Sequence, residues 1–257
     1  MSTTRMPVLF IGHGSPMNAI EDNQFSRGWI EAAKSIPRPQ GILCVSAHWE
    51  TRGVGVTAME KPRTIHDFGG FPPELYAKQY PAPGSPELAR RAGEIIQSAP
   101  VMPDQRWGLD HGTWSVLCRM YPEADIPVVQ LSLDRSHTSP FHYQVGRELR
   151  PLREEGVLIV GSGNIVHNLG LVEWEGEAFD WAVEFDTSVK NWILREDHDP
   201  IVHYENQGLS AALAVNSAEH YLPLLYVLGV MQPGEPVAFF NEEIFAGSLS
   251  MRCVRIG

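Results

Sequence analysis

The sequence predicts an α/β fold, in which a central, largely parallel or mixed sheet lies between layers of helices. Several short apolar runs are bounded by glycine or proline, as is typical of strands that are buried on both faces. Segments with apolar residues at helical spacing alternate with these runs along the chain. Because such alternation is characteristic of parallel strands covered by helices, we expect a three-layer sandwich.

Each expected element has its own signal. Strands are expected at 7–11, in the run ending at Ala47-His48-Trp49, at 54–58, at 126–133, in the run from 157 towards His167, at 237–240 and at 248–256. The clearest helix start is Ser85-Pro86-Glu87, which offers a capping hydroxyl, a first-turn proline and an acid near the positive end of the helix dipole. The other expected helices span 24–35, end at Met120, open at Ser139-Pro140, run from Ala178 to Trp192 and follow His220.

Size and charge limit the function classes. With 257 residues, 43% of them hydrophobic, and neither linker nor repeat, residues 1–257 are expected to form a single domain. The net charge of −11 disfavours binding to nucleic acid or to an anionic membrane. No apolar run approaches the roughly 20 residues of a membrane span. A monomer and a small homo-oligomer both remain open.

The cysteines and the N-terminal residues bear on the compartment. Residues 1–6 lead into the first strand without the apolar core of a signal peptide. Cys44, Cys118 and Cys253 lie in apolar surroundings at no metal-ligand spacing. Such cysteines are typical of reduced core residues, so a cytoplasmic protein is expected.

Four histidines occupy settings that suit a metal site. His13, His48 and His167 stand at or just beyond the ends of buried apolar runs, and His220 stands at the mouth of an apolar helix. In open α/β sheets, ligands bind beyond the carboxyl ends of the parallel strands. If the three strands are neighbours, their imidazoles converge, and the sequence then predicts a mononuclear metal centre.

Simpler interpretations apply to other residues. One histidine after a strand is more often a capping or hydrogen-bonding group, and His66, His137, His142, His198 and His203 lack the setting described above. The glycines at 161 and 163 lack the third glycine of a dinucleotide fingerprint and more simply allow a tight turn. Ser15 and Ser162 stand outside a Gly-x-Ser-x-Gly elbow, which disfavours a serine hydrolase.

A long aromatic loop is expected beside the site. Residues 61–86 are rich in proline, glycine and aromatic side chains, which is unusual for a simple connection. Its segment 65–72, containing His66 and Phe71, is expected to line the substrate pocket and to offer a flat apolar surface. Ser15, close to the first strand end, is a further candidate for substrate contact.

Motifs over nearly the whole chain resemble one family. They are Gly-His-Gly-Ser-Pro at 12–16, Ser-Ala-His-Trp at 46–49, Ile-His-Asp-Phe-Gly-Gly-Phe-Pro at 65–72, Tyr-Pro-Ala-Pro-Gly at 80–84, Asp-His-Gly-Thr-Trp at 110–114, Gly-Ser-Gly-Asn-Ile-Val-His-Asn at 161–168 and Glu-His-Tyr-Leu-Pro-Leu-Leu at 219–225. In this content and order the chain resembles the DOPA 4,5-dioxygenase branch of the class III extradiol ring-cleaving dioxygenases. The resemblance implies a single α/β domain that opens a catechol ring with dioxygen beside the two hydroxyls.

The resemblance also implies a ligand set. His13, His48 and His220 match metal-binding positions, His167 matches a position at or very near the metal, and His111 matches a histidine that assists proton transfer or oxygen handling. The parent superfamily generally completes its triad with a carboxylate, whereas the matching motif here offers His220, with a glutamate next to it. Iron(II) is the expected metal. Zinc is an alternative in purified protein, because imidazole suits both metals and zinc binds more tightly.

The residue types are suited to ring opening even without the family resemblance. Three protein ligands leave positions on a metal for both catechol oxygens and for dioxygen, and no organic cofactor is expected. Histidine titrates in the range needed to accept and return a proton. Two alternatives remain. A zinc hydrolase would use the same ligands with an acidic base, for which the motifs offer Asp67, Asp110 and Glu219. A non-catalytic metal-binding protein would keep the fold without turnover.

Overall fold

A computed structural model describes residues 5–257, so residues 1–4 of the N-terminal segment discussed above lie outside the described part. The strands are β1 (Val8–Gly12), β2 (Gly41–Thr51), β3 (Val54–Thr57), β4 (Val101–Asp104), β5 (Val128–Asp134), β6 (Val157–Gly163), β7 (Val237–Phe240), β8 (Ile244–Phe245), β9 (Leu249–Ser250) and β10 (Cys253–Ile256). The α-helices are α1 (Gln24–Lys34), α2 (Pro73–Ala77), α3 (Pro86–Ile95), α4 (His111–Met120), α5 (Ser139–Glu148), α6 (Pro151–Glu154), α7 (Asp180–Leu194), α8 (Asp199–Val202), α9 (Leu209–Ala214) and α10 (Leu222–Val230).

One sheet of eight strands organises the molecule, in the order β4-β3-β5-β2-β6-β1-β10-β7. Strands β5, β2, β6 and β1 are parallel to one another at its centre, whereas β10 and β7 add antiparallel strands at one side. The three strands that carry or precede His48, His167 and His13, namely β2, β6 and β1, are direct neighbours. Their carboxyl ends, and with them the histidines, therefore lie at the same edge of the sheet.

Helices cover both faces of the sheet. Along β1, Val8 and Phe10 face the core shared with α3, α5, α7 and α10, while Leu9 and Ile11 face the core shared with α1 and α4. Side chains of successive strand residues point to opposite faces, so a doubly covered strand must be apolar throughout. The predicted three-layer α/β sandwich with a mixed central sheet is confirmed.

Local signals place several helix starts where the sequence predicts them. Ser85 caps α3 by accepting the Leu88 backbone N–H, and Pro86 occupies the first turn. All nine residues of α10 are buried, which explains why it shows no polar face. Among the helices of residues 5–257, none combines the length and apolar character that crossing a bilayer demands.

Three differences from the expected strands have a visible structural reason. Strand β2 continues to Thr51 instead of ending near His48, because its pairing with β5 shifts register between Val45 and Glu50. The edge strand β4 was not expected, since its residues are half-buried or exposed and include a proline. The expected last strand is divided into β9 and β10 at Met251-Arg252, where the Arg252 guanidinium turns to a buried ion pair with Asp186.

Candidate active site

Four elements deliver histidines to the carboxyl edge of the sheet. His13 directly follows β1, and His48 lies inside β2 beyond the register shift. Bulges of this kind re-aim side chains next to functional sites, which accounts for a ligand candidate within a strand. His167 lies four residues past the end of β6, and His220 stands two residues before α10. The predicted convergence of these side chains is observed.

Three of these imidazoles face one point. One nitrogen each of His13, His48 and His220 lies within 4.8 Å of the other two, and the Nε2 atoms of His13 and His48 are 3.1 Å apart. Metal–nitrogen bonds of about 2.0–2.1 Å place neighbouring ligands of one ion roughly 3 Å apart. The spacing of this pair therefore fits a shared divalent metal ion.

Hydrogen bonds at Nδ1 leave Nε2 of two of these rings available for a metal. The Ser162 hydroxyl donates to the Gly112 carbonyl at 2.6 Å, so its oxygen accepts the His13 Nδ1–H at 3.0 Å. The Glu219 carboxylate accepts the His220 Nδ1–H at 3.1 Å. Outer partners of this kind fix the tautomer and orientation of metal-binding histidines.

The ligand candidates are held neutral. Burial, followed by the charges of neighbouring imidazoles, holds the pKa of His13 and of His220 well below the usual range. Burial and then His111 lower the pKa of His48 to about 3. Burial lowers the pKa of His167 to about 4, against an opposing effect of Glu219. Since a histidine must be neutral to bind a metal, these side chains are ready to do so at neutral pH.

Two further histidines flank the three. The ring of His167 stacks on that of His220, with centroids 3.5 Å apart and planes 5° from parallel. His111, the first residue of α4, has its ring centroid 3.8 Å from that of His48. Its Nδ1 lies 3.0 Å from Asp67, and that hydrogen bond helps to lower the pKa of the Asp67 carboxyl although burial acts in the opposite direction. Both flanking rings therefore lie within reach of a ligand bound at the centre.

The histidines form the floor of an apolar cavity of about 350 Å³. Its walls come from the loop before α2, from the segment after β6 and from the chain near β8 and β9. The non-histidine lining residues are Gly14, Ser15, Pro16, Phe68, Phe71, Leu169, Trp174, Phe245 and Leu249. A cavity of this size, with flat aromatic walls and a floor of imidazoles, suits a small aromatic ligand.

The chain matches, over residues 7–249, the family described as the catalytic LigB subunit of aromatic ring-opening dioxygenase. It belongs to this family. A protein named 4,5-DOPA dioxygenase extradiol from Escherichia coli (strain K12) is 53% identical, with 100% of this chain and 97% of that protein covered. A protein of the same name from Beta vulgaris is 40% identical, covering 94% of this chain and 92% of that protein.

A solved structure has the same fold as this chain. The crystal structure of an uncharacterized protein from Escherichia coli K12 is 48% identical and superposes with a TM-score of 0.86. The superposition covers 98% of this chain and 100% of that one. The family match thus covers the strands that bring the histidines together, and the superposition covers nearly the whole chain.

Of the three residues predicted to contact substrate in this LigB-family chain, two line the cavity and one does not. Ser15 and Phe71 line the cavity, as the sequence predicts. His66 is not among the lining residues. Its Nε2 lies 2.9 Å from the Lys78 carbonyl, and its ring packs against Trp114. Contact between His66 and substrate therefore stays a prediction, since in the structure this ring packs against Trp114 and does not line the cavity.

Sequence reasoning missed the partners of the histidines. Ser162 was considered only as a nucleophile, yet its hydroxyl orients His13. A polar side chain in the otherwise apolar run of β6 was the available signal, since buried polar groups require partners. The walls contributed by Leu169, Trp174 and Phe245 carry no comparable signal, because only the tertiary fold brings them to the cavity.

Proposed function

We propose that this chain is an extradiol dioxygenase that opens a catechol such as L-DOPA at the 4,5-bond with dioxygen, at a mononuclear non-haem iron(II) centre. The observation that carries the proposal is the convergence of His13, His48 and His220 on one point at the floor of an apolar cavity. The family supports ring opening, and the names of the relatives from Escherichia coli and Beta vulgaris support the choice of substrate.

The metal would be held by Nε2 of His13, His48 and His220. The neutral rings, two of them with their Nδ1 atoms engaged by Ser162 and Glu219, fit a borderline divalent ion such as iron(II) or zinc. When bound, iron(II) would let electrons pass from the electron-rich catechol to dioxygen. We assign iron(II) to the active enzyme and zinc to an inactive form, and no organic cofactor takes part.

The cavity walls bind and orient the ring. Phe68 and Phe71 meet edge to face, with centroids 5.3 Å apart, and line the cavity together with Trp174 and Phe245. A planar catechol between these walls would turn its hydroxyl edge towards the histidine floor. Apolar walls also exclude water from the reacting edge, which strengthens the hydrogen bonds made there. Ser15 also lines the cavity, and its hydroxyl would contact a polar part of the ligand.

Two histidines move protons in this proposal. His111 accepts the proton of a catechol hydroxyl at Nε2, because its Nδ1 is already hydrogen-bonded to Asp67. His167, stacked on His220 at the other side of the floor, is placed to hold or return a proton during ring opening. With zinc bound, His167 would approach as a fourth ligand, since zinc favours four-coordinate sites.

The hydrolase alternative needs a carboxylate base. Asp67 and Glu219 accept hydrogen bonds from His111 and His220, and Asp110 is fully buried with Ser46 and Gln130 as partners. These carboxylates act as acceptors for fixed donors, which favours the dioxygenase over the hydrolase.

The test compares oxygen consumption with hydrolysis. Anaerobic apoprotein is loaded with iron(II), L-DOPA is added, and oxygen uptake and visible absorbance are followed after mixing with oxygen. We expect uptake that depends on both protein and iron, together with a yellow ring-opened product. Metal-dependent ester or amide cleavage without oxygen uptake would replace the proposal with the hydrolase. Metal binding with neither activity would indicate a non-catalytic metal protein.

The cysteines support a proposal for the compartment. Cys44, Cys118 and Cys253 are free and buried. Burial raises the pKa of the Cys44 and Cys253 thiols to about 12, which keeps them protonated and unreactive. We place the protein in the reducing cytoplasm, where free thiols of this kind persist.

A further inference from the structure

The carboxylate of Asp67 makes two hydrogen bonds to His111. One oxygen, Oδ1, accepts the backbone N–H of His111 at 2.9 Å, and the other, Oδ2, lies 3.0 Å from Nδ1 of the same residue. Asp67 belongs to the aromatic loop, 44 residues earlier in the chain, and its side chain is only 18% exposed. This double contact therefore joins the cavity wall to a histidine of the floor.

The backbone of His111 is itself firmly placed. Asp110, which is fully buried, caps α4 by accepting the Thr113 N–H, and the hydroxyl of Ser46 donates to the same Asp110 oxygen at 2.7 Å. With the start of α4 fixed, the remaining freedom of His111 is rotation of its ring and the choice of tautomer. Asp67 contacts Nδ1 of the ring, and this contact bears on both the ring orientation and the tautomer.

A carboxylate can only accept hydrogen bonds, so Nδ1 of His111 must carry the hydrogen in this contact. We propose that Asp67 is a positioning residue that holds His111 in the Nδ1–H tautomer and turns the Nε2 lone pair towards the bound catechol. This inference rests on the proposed function, because it assigns Nε2 of His111 the proton of the catechol hydroxyl. An outer carboxylate that sets the tautomer of a catalytic histidine is an established device in other enzymes.

Asp67, His48 and His111 also bring ligand atoms within 4.8 Å of one another, but the bonds made by these rings favour a positioning role for Asp67. The Asp67 Oδ2 lies 3.7 Å from Nδ1 of His48, which exceeds a hydrogen bond, and 3.0 Å from His111. The Nε2 atom of His48 faces His13, on the other side of the ring. Asp67 therefore influences His48 only through its charge, whereas it bonds directly to His111.

The same contact anchors the aromatic wall. Phe68 follows Asp67 directly, and its ring meets that of His111 edge to face with centroids 5.6 Å apart. Added Cβ atoms at Gly69 and Gly70 would meet nothing within 4 Å, so this stretch is loosely surrounded. Loss of Asp67 could act through the wall or through His111, and the experiment must separate these effects.

The decisive variant is Asp67→Asn. The backbone N–H of His111 can only donate, so it keeps its hydrogen bond to the amide oxygen of the replacement side chain, and the amide NH₂ group faces Nδ1 of the His111 ring. The ring must then accept at Nδ1 and carry its hydrogen on Nε2, where it can no longer take a proton. In the iron-loaded enzyme we expect kcat with L-DOPA to fall by about 100-fold or more, with KM changed less than about threefold and metal content unchanged.

A second readout does not depend on turnover. In zinc-loaded protein, ¹⁵N chemical shifts of the His111 ring should report the Nδ1–H tautomer for the wild type and the Nε2–H tautomer for Asp67→Asn. The matched control is Asp199→Asn, which removes another Asp–His contact, with His203 at 3.2 Å on the exposed surface. This control should leave kcat and the His111 shifts unchanged.

Three results would overturn the inference. They are an Nε2–H tautomer in the wild type, wild-type kcat and KM in Asp67→Asn, and wild-type kcat with a raised KM in Asp67→Asn, which would make Asp67 only an anchor of the aromatic loop. Asp67→Ala, which offers neither acceptor nor donor, should lose kcat to a similar extent. If the iron-loaded wild type consumes no oxygen with any catechol, the proposed function fails, and the ¹⁵N shifts still decide what Asp67 does to His111.

Discussion

Gly163→Ala should disable the metal centre without touching a ligand side chain. A Cβ atom at Gly163, the last residue of β6, would lie 2.1 Å from the carbonyl oxygen of His220. Ordinary contacts begin at 3.4 Å, so that oxygen would have to retreat by about 1.3 Å. The same carbonyl accepts the Asn164 N–H at 2.8 Å, a bond that the movement would break.

The expected loss follows from this displacement. A misplacement of about 1 Å can reduce activity by roughly 100-fold, and overpacking costs about 1–3 kcal/mol of unfolding free energy. We expect Gly163→Ala to remain folded, to bind metal more weakly and to turn over L-DOPA roughly 100-fold more slowly. Metal titration, chemical denaturation and oxygen uptake measure the three effects.

Gly93→Ala is the matched control. It lies in α3, where the nearest atom to the added Cβ is 3.7 Å away, in ordinary contact. Replacement of a helical glycine by alanine should stabilise the protein by about 0.5–1 kcal/mol and leave activity unchanged. If Gly163→Ala kept wild-type metal affinity and turnover, the placement of His220 by its close packing against β6 would be refuted.

Three further predictions concern separate parts of the chain. His220→Ala should lose the metal, whereas His167→Ala should keep much of it and lose most turnover; metal analysis with the opposite outcome would exchange their roles. Phe71→Ala should weaken catechol binding more than metal binding, as measured by calorimetry, and unchanged catechol affinity would remove the aromatic loop from the pocket. Burial lowers the pKa of His142 to about 4, below about 6.5 in an unfolded chain, so the unfolded state takes up the proton first. Neutral, buried His142 therefore adds about 3 kcal/mol to the free energy of unfolding above pH 6.5, and this amount is lost as the pH falls towards 4. Chemical denaturation of His142→Gln across this range should show a flatter pH dependence than the wild type.

The features that could be predicted from sequence are those with local causes. Ser85 and Pro86 specify a helix start by themselves, and the apolar runs of β1, β2 and β6 specify doubly covered strands. The convergence of the histidines followed because the carboxyl ends of adjacent parallel strands share one edge.

The features that could not be predicted depend on contacts between distant segments. The register shift in β2 arises from its pairing with β5, and it keeps His48 inside a strand. The Ser162–His13 contact spans 149 residues, and the Asp67–His111 contact spans 44. His66 and Phe71 occupy the same loop and share aromatic character, yet packing against Trp114 turns the first away from the cavity. No local pattern distinguishes them.

The metal content of His13→Ala and His48→Ala tests the central claim most directly. Each variant is loaded anaerobically with iron(II), freed of loosely bound metal and analysed for iron per chain, with circular dichroism as the check of folding. The convergence of His13, His48 and His220 predicts that each variant stays folded and loses the metal together with activity. A folded variant that retained one full equivalent of iron at wild-type affinity would contradict the proposed ligand set.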